Sequence, residues 1–119
     1  MRLFICDDNE EYRTLVRMVL EMAGHEIVGE AADGEQVLDA APAAEPDVVL
    51  LDLNMPNMSG FEALPHLRDR LPHSKILILT TGQALQERQR ALDSGADGYI
   101  VKPDRVFALD DEIKAALAA

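Results

Sequence analysis

The chain has 119 residues, 48% of them hydrophobic, enough for one compact domain with its own core and too little for two. With 11 basic and 22 acidic residues its net charge is −11, so the chain alone is a poor nucleic-acid binder. No apolar run approaches the ~20 residues of a membrane span, and Met1 to Cys6 is too short for a signal-peptide core. The single Cys6 excludes an internal disulfide and suits a reducing cytosol.

Short apolar runs alternate with longer amphipathic stretches. The first run, Leu3 to Cys6, leads into a stripe of Tyr12, Leu15, Val16, Val19, Leu20 and Ala23 at helical spacing. Asn9 caps that helix, Glu10 and Glu11 suit its positive end, and Gly24 closes it. The second run, Ile27 to Ala31, is flanked or interrupted by Glu26 and Glu30, a pattern that suits a sheet edge. Asp33 with Gln36 resembles a capping box opening a short helix that Pro42 should stop. Val48 to Leu51 is a continuous aliphatic block, as in a strand covered on both faces. Ser59 and Glu62 then cap a third helix with Phe61, Leu64, Leu67 and Leu71 inward, and Pro65 predicts a kink or a late start.

Ile76 to Leu79 is the fourth run. The following helix, Gln83 to Leu92, is mostly polar with Leu85 and Leu92 as anchors, so it should move easily. Tyr99 to Val101 is the fifth run, and Arg105 to Leu117 forms a last helix with Val106, Leu109, Ile113, Ala116 and Leu117 on one side. Five strand–helix alternations make an α/β doubly wound three-layer sandwich, with ligand chemistry collected at the carboxyl ends of its parallel strands.

Four of the five runs end on residues able to do chemistry: Asp7 and Asp8, Asp52, Thr80 and Thr81, and Lys102. Each alone has an ordinary explanation as a cap, turn or solvated residue. Together they place three carboxylates, a hydroxyl and an ammonium on one rim. Crowded carboxylates repel, and oxygen-only donors of this hardness suit Mg²⁺, with Mn²⁺ as the alternative ion. A carboxylate beside such an ion and an ammonium is equipped as a nucleophile for phosphoryl transfer, with Thr80 donating to a phosphoryl oxygen.

At these residues the sequence resembles the receiver domain of bacterial two-component response regulators, including the chemotaxis type, over essentially its whole length (1–119, a single receiver domain). The markers are Asp7-Asp8, Leu51-Asp52-Leu53-Asn54-Met55-Pro56 with Ser59-Gly60, Thr80, and Gly95-Ala96-Asp97-Gly98-Tyr99 leading to Lys102-Pro103. The resemblance implies a flavodoxin-like (βα)5 fold with strand order 2-1-3-4-5. It implies phosphorylation of Asp52 by a histidine kinase or phosphotransfer protein with Mg²⁺. Asp8, Asp52 and the backbone carbonyl of Asn54 would ligate the metal, Asp7 would act through water, Lys102 would pair with the phosphoryl group, and the Lys102-Pro103 peptide would be cis. The switch would couple Thr80 to Tyr99 and act on the face of the fourth helix, fifth strand and fifth helix. That face would take a downstream protein, an output domain elsewhere in a longer chain, or a second copy in a phosphorylation-dependent dimer. The Val28 to Ala31 and Asp33-Gly34 region resembles receivers attached to helix-turn-helix DNA-binding domains. On this reading the protein is cytoplasmic and not an enzyme beyond its own phosphorylation and dephosphorylation.

The sequence departs from the family pattern in places. Thr81 could narrow access to Asp52, Gly82 offers no side chain where the family often tunes phosphate lifetime, and Asp104 replaces a frequent apolar residue. Two other readings stay open: a metal-dependent phosphatase with an Asp nucleophile, and a receiver-like interaction module that is not phosphorylated. The phosphatase normally needs a carboxylate two residues past its nucleophile, where Asn54 stands. A flavin-binding reading lacks a phosphate cradle and a Trp to stack on the ring. His25, His66 and His73 read as surface residues, Met18 and Met22 as helix-face packing, Met55 and Met58 as packing beside Asp52, and Cys6 as inert core.

Overall fold

The computed structural model describes residues 1–82 and 85–119. Five parallel strands, β1 (Arg2–Cys6), β2 (Glu26–Ala31), β3 (Val48–Leu51), β4 (Lys75–Thr80) and β5 (Gly98–Val101), form one sheet in the order 2-1-3-4-5. The helices are α1 (Glu10–Met22), α2 (Gly34–Ala44), α3 (Gly60–Arg70), α4 (Leu85–Asp93) and α5 (Leu109–Ala118), the last preceded by a 3-10 turn at Val106–Ala108. This is the doubly wound sandwich that the alternation of runs predicts, in the flavodoxin-like strand order that the receiver resemblance implies. No helix among the described residues is long and apolar enough to cross a membrane.

Strand periodicity of two divides the core. Phe4, Cys6, Val49, Leu51, Ile76 and Ile78 pack with α2 and α3 residues such as Val37, Leu64 and Leu67. Leu3, Ile5, Val48, Leu50, Leu77, Leu79 and Ile100 pack on the other face with Val16 and Leu20 of α1 and Leu109 and Ile113 of α5. The charged β2 is an edge strand, as its Glu residues suggest; Glu30 is held from α1 by Arg13 (3.3 Å) and Arg17 (2.6 Å).

The caps follow the sequence. Asn9 accepts from the Tyr12 N–H, and Ser59 with Glu62 forms a full capping box. Asp33 accepts from the Gln36 N–H, but Gln36 Oε1 accepts from Ala32 rather than from the cap residue itself. Pro42 does not stop α2, which runs on to Ala44 and ends at Glu45 in the left-handed region (φ 49°). Proline removes only its own donor and leaves the following turn free to finish. Pro65 likewise brings no late start, because the capping box fixes the first turn of α3 at Gly60.

Three other expectations are corrected. Met18 and Met22 point outward, Met22 being 76% exposed, and Leu15 and Ala23 are exposed too: the inward stripe of α1 narrows to Tyr12, Val16, Val19 and Leu20. His25 is not a surface histidine, since its Nε2 lies 2.7 Å from Asp110 Oδ1 with little of either side chain exposed. The Lys102-Pro103 peptide is trans, the isomer that X–Pro bonds favour intrinsically by about 0.5–1 kcal/mol. Of the expected fourth helix, Gln83 and Ala84 lie outside the described residues.

Arg68 joins the end of α3 to the α4–β5 connection. Its guanidinium donates to the carbonyls of Leu71, Ser74 and Gly95 and to Asp97 Oδ2 at 2.8 Å. Asp97 in turn accepts the Ile76 N–H at 2.8 Å, which accounts for the acid in the Gly95-Ala96-Asp97-Gly98 string. Arg68→Ala is expected to lower unfolding free energy by about 2 kcal/mol, the range for charge-assisted bonds whose acceptors are left behind, measured by urea denaturation.

Candidate functional site

The sheet ladder continues one residue past three of its strands. Asp7 donates its backbone N–H to Ala31 (3.0 Å), Asp52 to Cys6 (2.9 Å) and Lys102 to Thr80 (2.7 Å). Continuing the strand alternation by one step puts Asp7, Asp52 and Lys102 on the α1/α5 side of the sheet. Their side chains meet there: Lys102 Nζ lies 2.7 Å from Asp7 Oδ2, 3.5 Å from Asp52 Oδ2, and 4.3 Å above the Tyr12 ring. The same alternation sends Thr80 and Tyr99 to the other side, where Tyr99 packs against the α2/α3 core.

Asp7 and Asp52 are buried, Asp8 is exposed, and one carboxylate oxygen from each lies within 4.8 Å of the others. Asp7 is the most tightly held, accepting from the Asn9 N–H at 2.9 Å while paired with Lys102. Burial pushes the Asp52 carboxyl above the ordinary carboxylate range; Lys102 opposes this and the Asp7 charge adds to it. Asp52 also accepts from the Asn54 N–H at 3.2 Å. This donor set is all oxygen and converges from three carboxylates, so it fits a hard divalent cation of the Mg²⁺ class.

A glycine makes the site fit beneath α3. A Cβ at Gly60 would collide with the Asp52 carbonyl oxygen and stand 2.8 Å from Leu53 Cα. Only glycine lets the Ser59 cap and the first turn of α3 approach β3 this closely.

Thr80 is fully buried, and its Oγ1 accepts from Asn54 Nδ2 (3.5 Å) and the Gly82 N–H (3.4 Å). Thr81 is exposed, as is Asp104. The half-buried Tyr99 directs its hydroxyl to the Gly82 carbonyl at 2.7 Å and Glu87 Oε1 at 2.9 Å, and burial followed by the Glu87 contact pushes its phenol up to about 12. Met55 is buried beside Cys6 (Sδ–Sγ 3.5 Å), and burial pushes the Cys6 thiol upward, in keeping with an inert core residue.

Three contacts at the site go beyond the sequence motifs: Glu87 on Tyr99, the Tyr12 ring under Lys102, and the Arg13 guanidinium donating to the Asp7 carbonyl at 2.6 Å. Strand parity, applied past the strand ends, would have paired Lys102 with the α1 side. No local pattern marks Glu87.

The model of the response regulator receiver domain family matches residues 3–114. The chain belongs to the response regulator receiver domain family. It is 39% identical over 101 residues to the nitrate/nitrite response regulator NarL of Escherichia coli K12, covering 84% of this chain and 47% of that protein. To NarP of the same organism it is 40% identical over 115 residues, covering 96% of this chain and 54% of that protein. The crystal structure of a LuxR-family two-component response regulator from Aurantimonas sp. SI85-9A1 superposes with a TM-score of 0.89 at 33% identity, over 98% of this chain and 84% of that one. The receiver thus spans about half the length of the curated relatives it matches. It is a receiver domain of the two-component type, similar to those of NarL and the LuxR family.

The raised Asp52 carboxyl gives a testable sign. An acid whose pKa is higher folded than unfolded costs stability once pH exceeds its unfolded value, because the chain must ionise it in a buried place. Asp52→Asn is therefore expected to raise Tm at pH 7 in the presence of a chelator, and the gain should shrink as pH falls toward 4, as followed by circular dichroism.

Proposed function

We propose that this receiver accepts a phosphoryl group on Asp52 from a phosphohistidine of a histidine kinase or phosphotransfer protein, with Mg²⁺, and relays that state through Thr80 and Tyr99 to the α4–β5–α5 face. The reading rests chiefly on one observation: three carboxylates gathered within 4.8 Å, with the Lys102 ammonium between Asp7 and Asp52.

In the transfer, an Asp52 carboxylate oxygen forms a bond to phosphorus as the donor's P–N bond breaks, and the electron pair returns to the imidazole. Asp52 becomes an acyl phosphate. Lys102 exchanges part of its pairing with the carboxylates for a phosphoryl oxygen, and the Thr80 hydroxyl, which already bonds the Asp52 carboxyl, donates to another. Asp8, Asp52 and the Asn54 carbonyl would hold Mg²⁺, with Asp7 acting on it through water, and the ion would supply positive charge to the acid cluster and the incoming phosphoryl oxygens.

Asn54 argues against the phosphatase reading. It stands where that chemistry needs a second carboxylate, and its amide is engaged with Thr80. The complete acidic and Lys set argues against an unphosphorylated module. Residues 1–119 act on this reading as a single cytosolic receiver domain. Its α4–β5–α5 face meets a downstream protein, the output domain of a longer chain, or a second phosphorylated copy.

Intact mass after incubation with acetyl phosphate is expected to show one added phosphoryl group with Mg²⁺, none with chelator, and none in Asp52→Asn. Failure of the parent chain to gain mass would overturn the reading. Mg²⁺ alone should raise unfolding free energy by about 2.7 kcal/mol at a hundredfold excess over its Kd. The gain should fall sharply in Asp8→Ala, as read by thermal denaturation.

A further inference from the structure

Helix α4 is held to the rest of the domain by little apolar surface. Ala91 is its buried residue, Leu92 is partly buried, and Leu85 is 78% exposed. Its remaining ties are specific. Arg90 stacks over Phe61 at 4.1 Å, and Glu87 reaches the Tyr99 hydroxyl at 2.9 Å. The same hydroxyl lies 2.7 Å from the Gly82 carbonyl, so one phenolic proton serves the β4–α4 connection and α4 together.

Gly82 belongs to this arrangement. The Glu87 carboxylate lies directly on its Cα: a Cβ there would collide with Oε1 and stand 2.8 Å from Cδ. The Gly82 N–H donates to Thr80 Oγ1 at 3.4 Å. A continuous set of contacts thus runs from Thr80 through the Gly82 peptide to Tyr99 and Glu87. The Thr80 hydroxyl also bonds the Asp52 carboxylate, so one hydroxyl links the Gly82 N–H to Asp52.

We propose that Glu87 is the positioning residue that latches the first half of α4 onto Tyr99, and through the Gly82 peptide makes the docking of α4 depend on the state of Thr80. The latch itself stands in the unmodified protein. Its response to phosphorylation rests on the reading of Asp52 given above. A half-buried hydroxyl shared with a carboxylate makes a charge-assisted bond, stronger than a neutral one, and a helix with so few apolar anchors has little to replace it.

The experiment is amide hydrogen exchange over Leu85–Asp93 in the full chain, with and without acetyl phosphate and Mg²⁺, alongside intact mass. In the unmodified protein, Glu87→Ala is expected to speed exchange in α4 roughly fivefold, the loss of about one hydrogen bond. Tyr99→Phe should do the same, and the double variant should be no faster than either single one. Glu87→Gln, which keeps an acceptor, should recover most of the protection, and Gln86→Ala on the same helix should leave exchange unchanged. On phosphorylation the parent's α4 exchange should change, while Glu87→Ala should still gain one phosphoryl group yet show no such change. Additive single variants, or parent-like exchange in Glu87→Ala, would overturn the latch. If the parent gains a phosphoryl group but α4 exchange does not respond, the coupling falls and the phosphoacceptor reading stands. A parent that gains no mass removes that reading and the coupling with it, while the exchange of the unmodified variants still decides the latch.

Discussion

The site depends on a backbone ladder that outlasts the strands. Asp7, Asp52 and Lys102 are each held by an N–H bond to the last residue of a neighbouring strand, so their Cα positions are fixed by the sheet and not by loops. Cys6 pairs with Leu51 and Thr80 with Val101, which brings the strand ends to one rim. Parallel pairing makes this convergence automatic: all carboxyl ends face one way, and the crossover helices keep the opposite ends apart. Side chains placed on such a rim need few rotamer choices to meet.

What they meet as is a frustrated cluster. Three carboxylates share space with one ammonium, and the ammonium sits closer to Asp7 than to Asp52. Asp52 is left with its carboxyl raised by burial, a penalty that positive charge nearby relieves, as Lys102 does in part. The surrounding core supplies the rigidity that this requires: Leu50, Leu51 and Leu53 around Asp52 are all fully buried, and Gly60 lets α3 close from below. A site of this kind is stabilised by its framework and destabilised by its own charges.

Strand positions were legible almost to the residue, because continuous aliphatic runs between polar turns have one economical explanation. The convergence of Asp7, Asp8, Asp52 and Lys102 was legible for the same reason, since the ends of those runs meet on one rim of a parallel sheet. Legibility failed where a local pattern had a distant partner. His25 looks like a turn residue until Asp110, in the first turn of α5, is brought to it. Met18 and Met22 fit a helical stripe on spacing alone, but α1 rests on a narrow strip of sheet and turns them outward. Pro42 and Pro65 read as breaks, yet each sits inside a helix whose ends are set by other residues. Glu87 carries no local signature, because its role comes from Tyr99 on a neighbouring strand.

The parity of the strands has one more effect. Asp7, Asp52 and Lys102 occupy one side of the pleated layer, whereas Tyr99 and α4 occupy the other, with Thr80 reaching between them. Under the proposed function, the docking face wraps the edge of the sheet: α5 shares the side of Asp52, while Tyr99 and α4 lie across it. A charge made on one side can thus be presented around the edge to the other, with the Thr80 hydroxyl as a bridge through the layer.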